Sequence, residues 1–281
     1  MAQLKTDYSS AELAQALEIS GSGFLMHKQK DLRPRRQRDR ELIALMEPIF
    51  GQSRGTYGSP RLCAALRQAG QRCGKNRVHR LMRQQFWKAK QKRRFRPRTT
   101  DSRHSLPIAA NRLAQVDRPT KPNQVWQSDI TYIPTAQGWV YLAVTLDSLS
   151  RRVVGWQLKD SLETSLVTEA LARAQTERRP APGLLHHSDR GVQYASSACR
   201  ALLAIYQMEP SMSRKANCYD NALVESFFAT LKTECLADQQ PLNYQQARLT
   251  VFDYIETFYN PKRLHSALGF KSPVDFEKQF H

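Results

Sequence analysis

The spacing of apolar and polar residues changes once along this chain, and the change divides it. Up to about residue 100 the period is helical. In "YSSAELAQALEISGSGF", Ser9 and Glu12 fit a capping box, Leu13, Ala16 and Leu17 supply an apolar stripe, and Gly21 and Gly23 end it. Such a piece is either half of a helix-turn-helix or a surface helix. A basic stretch, residues 27–40, leads into a helical pattern at "ELIALMEPIF". Then "YGSPRLCAALRQAGQRCGKNRVHRLMRQQFW" reads as two helices joined by a glycine turn. Leu62, Ala65 and Leu66 face inward on the first, and Val78, Leu81 and Met82 on the second.

From about residue 120 the chain turns aromatic and β-branched. "QVWQSDITYIP", "GWVYLAVTLD" and "RRVVGWQL" read as strands, and the short turns between them predict an antiparallel meander. "SLETSLVTEALARAQTERR" returns to a helical period. "GLLHHSD" reads as a short buried strand, "SSACRALLAIYQM" as a helix, "PSMS" as a strand and "NALVESFFATLKTECL" as a helix. The order β-β-β-α-β-α-β-α predicts an α/β fold of the ribonuclease-H-like class, a mixed five-stranded sheet with helices. An all-α, helix-turn-helix-type region precedes it. The expected domains are a basic helical region over 1–100 (core about 41–87), a linker over 101–120, and a ribonuclease-H-like core with a C-terminal helical extension over 121–281.

Charge narrows the partners. Lys and Arg total 43 against 25 Asp and Glu, a formal net charge of +18 in 281 residues. Such an excess points to a polyanion, most often nucleic acid. Arg77, Arg80 and Arg83 recur at three-residue steps on one expected helix, where a DNA-contacting helix carries its cations. "KAKQKRRFRPR", which holds Arg93 and Arg94, is either a basic arm that tracks phosphates or a solvated linker. Five cysteines, without a Cys-x-x-Cys pair, suggest reduced thiols rather than a disulfide framework or a zinc site. "MAQLKTDYSS" lacks the apolar core of a signal peptide, and no run of about 18 apolar residues exists. A soluble, cytoplasmic protein that is not held at a membrane is expected.

Three acids stand out within that element order. Asp129 lies in the first strand, Asp189 ends the fourth, and Glu225 lies in the last helix. The first and fourth strands of this fold are neighbours. Three convergent carboxylates repel one another, and a pair of divalent cations relieves the repulsion. Carboxylate oxygens suit Mg²⁺ or Mn²⁺, two ions per site, rather than zinc. Taken singly, each acid has an ordinary structural reading: an exposed strand residue, a turn cap, a helix surface residue. Gly191 fits close approach at the strand end. Asp220 reads as a helix N-cap and Asp147 as turn chemistry. His187 suits a positioning role behind the acids. Lys232, seven residues after Glu225, shares its helix face and either holds a DNA phosphate or is solvated.

"WQSDITYIP", "HHSDRGVQY", "SMSRKANCYDNALVESFFATLK" and "FYNPKRLHSALGFKSPVDF" closely resemble the integrase-like transposases of bacterial insertion sequences. More narrowly, they resemble the second-frame product of the insertion sequence three family. The resemblance covers nearly the whole chain, and "YGSPRL…NRVHRLMR" is similar to that family's N-terminal DNA-binding module. It implies that Asp129, Asp189 and Glu225 are a metal-binding catalytic triad and that Lys232 contacts element-end DNA. It implies a metal-dependent polynucleotidyl transferase. The enzyme nicks one strand at the element end, and the exposed 3′-hydroxyl attacks another phosphodiester. The implied partners are terminal-repeat and target DNA, further copies of the chain on the DNA ends, and an upstream-frame protein joined by frameshifting. The segment "NPKRLHSALG" matches too, with no chemistry assigned to it. The competing expectation is a non-catalytic protein that binds element ends or regulates transposition. A nuclease or junction resolvase of the same fold is a third.

Overall fold

A computed structural model describes residues 9–18, 20–22, 34–90, 106–214, 221–237 and 240–280. The chain divides into two compact units, Met1–Lys88 and Ala89–His281.

In the first unit, α1 (Ser10–Ala16) carries the expected capping box: Glu12 N donates to Ser9 Oγ, and Ser9 N to Glu12 Oε2. Three longer helices follow, α2 (Pro34–Gln52), α3 (Ser59–Gln68) and α4 (Lys75–Gln84). Leu42, Met46, Leu62, Leu66, Val78 and Leu81 form their buried contacts. Helix α2 begins well before the apolar pattern does. Pro34 opens it, where a missing N–H costs nothing, so the basic run 34–40 is its first turns and not a leader. Asp39 on those turns explains the extension. It forms ion pairs with Arg77 Nε at 2.8 Å and Arg80 Nη2 at 2.7 Å.

In the second unit, a five-stranded sheet has the order β3-β2-β1-β4-β5. Its strands are β1 (Val125–Thr135), β2 (Gly138–Asp147), β3 (Val153–Lys159), β4 (Leu185–Ser188) and β5 (Glu209–Met212). The meander β1-β2-β3 is antiparallel, whereas β4 pairs parallel with both β1 and β5. Helices α5 (Thr164–Arg178), α6 (Val192–Ala195) and α7 (Ser197–Ile205) supply the crossovers. One core gathers Trp126, Ala143 and Val154 of the sheet with Leu166, Ala170, Leu171 and Leu203 of those helices. The strands and helices read from periodicity are all present, and this is the expected ribonuclease-H-like arrangement.

Helix α8 (Ala222–Glu234) packs on β1 and β2. Helix α9 (Tyr244–Phe252) runs into a π-helical turn, Asp253–Tyr259. The rings of Phe227 and Tyr259 meet edge to face at 4.8 Å.

The segment "NPKRLHSALG" is a fastening. Asn260 bonds both backbone groups of Val153, accepting from its N–H and donating to its C=O, each at 3.0 Å. It thereby satisfies part of the outer edge of β3, which would otherwise offer unpaired groups. Arg263 is buried against Glu234, and Leu264 and Leu268 are buried beside it. Helix α10 (Pro273–Glu277) ends on a buried carboxylate, Glu277, which Arg152, Arg178 and Ser150 hold at 2.7 to 2.9 Å. No helix among the described residues is long and apolar enough to cross a membrane.

Candidate active site

The two strands that bear the first two acids end side by side. The last parallel pairing of β1 with β4 is Ser128 with Ser188. Asp129 and Asp189 are the next residues on each strand, so the backbone sets them at matching positions. Asp129 remains within the sheet, opposite Val144 of β2. Its Oδ1 accepts from Ile130 N at 2.8 Å. Asp189 turns back on its own loop, where its Oδ1 accepts from Gly191 N at 3.0 Å. A Cβ on residue 191 would lie 3.0 Å from that oxygen and 3.3 Å from Gln193 Oε1, so the glycine makes room for the carboxylate. Arg190 Nε donates to Ser213 O at 2.6 Å and ties the loop to the end of β5.

Glu225 and Lys232 lie on α8, Glu225 exposed and Lys232 half-buried. Asn221 precedes the helix and donates to Ser128 O at 3.5 Å, next to Asp129. The electrostatics tie these residues together. Loss of water pushes the Asp129 carboxyl well above the usual range, and the charge of Asp189 pushes it further. Glu225 adds to the rise, while the Ile130 N–H and Lys232 oppose it. Burial draws the Lys232 ammonium below its ordinary value, and Asp129 draws it back up.

Asp129, Asp189, Glu225 and Lys232 therefore share one electrostatic neighbourhood. Among the described residues, though, no three His, Cys, Asp or Glu side chains stand at ligating distance of one point. The donor set is hard oxygen, and the repulsion between Asp129 and Asp189 is what a divalent cation relieves. These residues fit Mg²⁺ or Mn²⁺ and not a thiolate-seeking metal.

Behind the acids lies a hydrogen-bonded chain that sequence reading missed. His186 Nε2 pairs with Ser128 Oγ at 2.8 Å, and Ser128 Oγ with Thr145 Oγ1 at 2.9 Å, crossing β4, β1 and β2. Burial, then the neighbouring His187, lowers the His186 pKa to about 4, so its ring is neutral at pH 7. His187 Nδ1 lies 2.9 Å from Ser211 Oγ. That oxygen already accepts from Arg112 N and Leu113 N, which leaves its hydrogen for the imidazole. Thus His187 links β4 to β5 and to residues 112–113. Among the described residues the buried Tyr194 hydroxyl has no hydrogen-bond partner; loss of water, then Asp129 and Asp189, raise its pKa. His187 is the member of this layer that the sequence singles out; the only sequence signal for His186, Ser128 and Thr145 is that they are polar residues near the ends of apolar strands.

The expected DNA-contacting arginines divide. Arg77 and Arg80 are engaged by Asp39, whereas Arg83 is exposed on α4. Arg93, Arg94 and Asp220 lie outside the described residues. Asp147 accepts from Leu149 N, Ser150 N and Asn123 N, the turn chemistry expected of it.

Comparison with known proteins bears on the whole chain. A family model described as "Integrase core domain" matches residues 119–218, and another of the same description matches 206–273. One described as "HTH-like domain" matches residues 37–95. "Transposase InsF for insertion sequence IS3A" of Escherichia coli (strain K12) is 37% identical over 277 residues, 98% of this chain and 96% of that protein. The chain belongs to the integrase-core transposases of bacterial insertion sequences. A second relative, "Insertion element IS600 uncharacterized 31 kDa protein" of Shigella sonnei, is 40% identical over 269 residues, 96% of this chain and 98% of that protein. Among solved structures, a simian T-cell lymphotropic virus intasome chain aligns with a TM-score of 0.49 at 18% identity, over 76% of this chain and 69% of that one. The family is the one the sequence motifs resemble.

Proposed function

We propose that this chain is a metal-dependent DNA strand-transferase that acts on the ends of its own insertion sequence. The observation that supports it best is the pairing of Asp129 and Asp189 at the ends of adjacent parallel strands, within the charge of Glu225 and Lys232. Asp129, Asp189 and Glu225 would hold two Mg²⁺ or Mn²⁺ ions. When bound, the ions activate the attacking oxygen and stabilise the leaving one.

The chain's own residues do the rest. The backbone N–H groups of Ile130 and Gly191 orient the two carboxylates. Lys232 offers a cation beside them for a DNA phosphate. In the first step water attacks the phosphodiester at the element end, and the 3′-oxygen leaves with a proton as a hydroxyl. In the second step that hydroxyl attacks another phosphodiester, one P–O bond forming as one breaks. The helix-turn-helix-type unit would bind the terminal repeats, with Arg83, Arg93 and Arg94 contacting DNA and Asp39 disposing Arg77 and Arg80. The expected division at 1–100, 101–120 and 121–281 would follow this separation of binding from chemistry, with the compact units dividing earlier, between Lys88 and Ala89. Further copies of the chain and the upstream-frame protein complete the assembly on the DNA ends.

The test is strand transfer on labelled duplexes that carry the encoding element's termini. Mg²⁺ and the upstream-frame protein are each supplied or withheld, beside Asp189→Asn. Joined products that require Mg²⁺ and Asp189 are expected. DNA binding without joining under every condition would move the chain to a regulatory binding role.

A further inference from the structure

Within the integrase-core unit, two of the tryptophans are core residues: Trp126 is 0% exposed and Trp156 7%. Trp139 is 55% exposed. It stands at the start of β2, just past the hairpin turn at Gly138, whose φ of +126° suits glycine. A single exposed apolar side chain is ordinary on a surface; an indole at the head of an aromatic ladder suggests an occupant.

Its neighbours suggest which. The strand register pairs Tyr132 with Tyr141 and Pro134 with Trp139, so Trp139 sits diagonally from Tyr132 on one face. The Trp139 and Tyr132 rings meet at 6.4 Å and 82°, and those of Tyr132 and Tyr141 at 5.1 Å and 72°. Tyr141 and Ile130 continue that face into the core under α5 and α7. The ladder thus has a fixed inner end and an open outer ring.

It also shares the free end of β1 with Asp129, which alternation places on the opposite face of the strand. β4 pairs with β1 only as far as Ser128, so β1 continues past it from Asp129 through Tyr132 to Thr135. Burial and Tyr141 raise the Tyr132 hydroxyl pKa, and both Asp189 and Asp129 raise it further. Tyr132 therefore lies within electrostatic reach of both carboxylates.

We propose that Trp139, braced edge to face by Tyr132, forms a stacking platform for one unpaired DNA base, the base adjoining the phosphate held at Asp129 and Asp189. The proposal rests on the strand-transferase reading. A phosphate at the acids would place a nearby base of the same strand at the free edge of β1, towards which the ladder opens. Every base has a π-face, so the platform tolerates sequence, as an enzyme acting on both element ends and varied targets requires. The net charge of +18 supplies the attraction to the backbone that delivers the strand. A base received on the rings is out of its duplex stack, which opens the strand for attack.

The experiment uses the full chain and duplexes with the encoding element's termini, carrying 5-iododeoxyuridine next to the joining phosphate, with Ca²⁺ replacing Mg²⁺. Irradiation should crosslink the base to the peptide bearing Trp139 or Tyr132. Trp139→Ala should lose the Trp139 crosslink and slow joining in Mg²⁺ by roughly tenfold, and Trp139→Phe should keep most of both. Termini with that base already mismatched should recover part of the loss. An unchanged melting temperature in Trp139→Ala guards against misfolding. Crosslinks elsewhere, with full-speed joining by Trp139→Ala, would overturn the platform. So would a change of oligomeric state in Trp139→Ala with the crosslink pattern intact, which would make the indole a contact between copies. If Asp189→Asn joins as fast as the unaltered chain, the strand-transferase reading fails instead.

Discussion

Arg263 grips both carboxylate oxygens of Glu234, Nη2 to Oε1 at 2.6 Å and Nε to Oε2 at 2.7 Å, with both side chains almost wholly buried. Tyr254 adds a third bond, its hydroxyl donating to Oε2 at 2.8 Å. Glu234 is nine residues beyond Glu225 on α8, two and a half turns, so the two acids project from opposite sides. The buried side is pegged to the C-terminal segment, and the exposed side is thereby presented to Asp129. Arg263→Met leaves the Glu234 charge buried without its cation. A loss of about 3–5 kcal/mol is expected, read as a fall in melting temperature. Arg263→Met with Glu234→Leu should recover most of it, because an apolar pair of similar volume avoids desolvation. A double variant as unstable as the single one would contradict the buried-charge argument.

Gly155 sets how closely α5 lies on the sheet. A Cβ there would be 2.3 Å from the Ala170 carbonyl oxygen and 2.8 Å from Ala174 N, both backbone atoms that cannot swing aside. Gly155→Ala should cost about 1–3 kcal/mol or more, since the helix must move off the strand. Adding Ala174→Gly removes the clash with the Ala174 Cβ at 2.7 Å but not that with the carbonyl, so only partial recovery is expected. Thermal melts of the three proteins decide it. Full recovery in the double variant would place the crowding at the side chain alone.

How much of this was readable from sequence depends on the range of the interaction. The capping box at Ser9, the strand alternation and the helical stripes are local, and they predicted the elements nearly to their ends. The acid pair was readable because the element order makes the first and fourth strands neighbours. Arg263 with Glu234 and Asn260 with Val153 join residues 29 and 107 positions apart, and no local pattern announces such partners. The early start of α2 has the same origin: apolar periodicity does not register Asp39, whose two arginines lie on α4. The chain His186–Ser128–Thr145 spans three strands and becomes visible only with the register.

Asp39 restrains two cations that the sequence assigns to DNA. Burial raises its carboxyl pKa, but hydrogen bonds from Arg80 and Arg77 outweigh that and hold it below the usual value. A carboxylate with a depressed folded pKa contributes stability above its unfolded value, near 4, and loses it as pH falls through the folded one. Asp39→Asn should therefore cost about 1 kcal/mol at pH 7, a modest figure because both arginines remain partly in water. The cost should shrink below pH 4. The freed arginines can each meet a phosphate. Non-specific DNA binding should tighten, and its log–log salt dependence should steepen by roughly one to two. A salt slope unchanged by Asp39→Asn would mean that neither arginine reaches DNA.

Asp129 is expected to trade stability for function. Burial and Asp189 hold its carboxyl well above the ordinary range. For such a group the sign runs opposite to Asp39. Its stability is fully present below the unfolded value, near 4, and is lost as pH rises through the folded pKa. At neutral pH the folded chain bears the cost of holding beside Asp189 a carboxyl that ionises readily only when unfolded. Asp129→Asn removes that cost, so it should abolish strand transfer and yet raise the melting temperature by a few degrees, with ~1 kcal/mol worth roughly 2–4 °C in a unit of this size. The gain should fade as pH is lowered towards 4, where the unaltered carboxyl is already protonated. Mg²⁺ should also close the gap, because an ion bound only by the folded, intact site stabilises it by about 1.4 kcal/mol at ten times its dissociation constant. Melts of both proteins across pH, with and without Mg²⁺, measure all three effects. If Asp129→Asn melts below the unaltered chain at pH 7, the carboxylate is not strained; if Mg²⁺ raises both equally, it is not a ligand, and the metal site must be sought elsewhere.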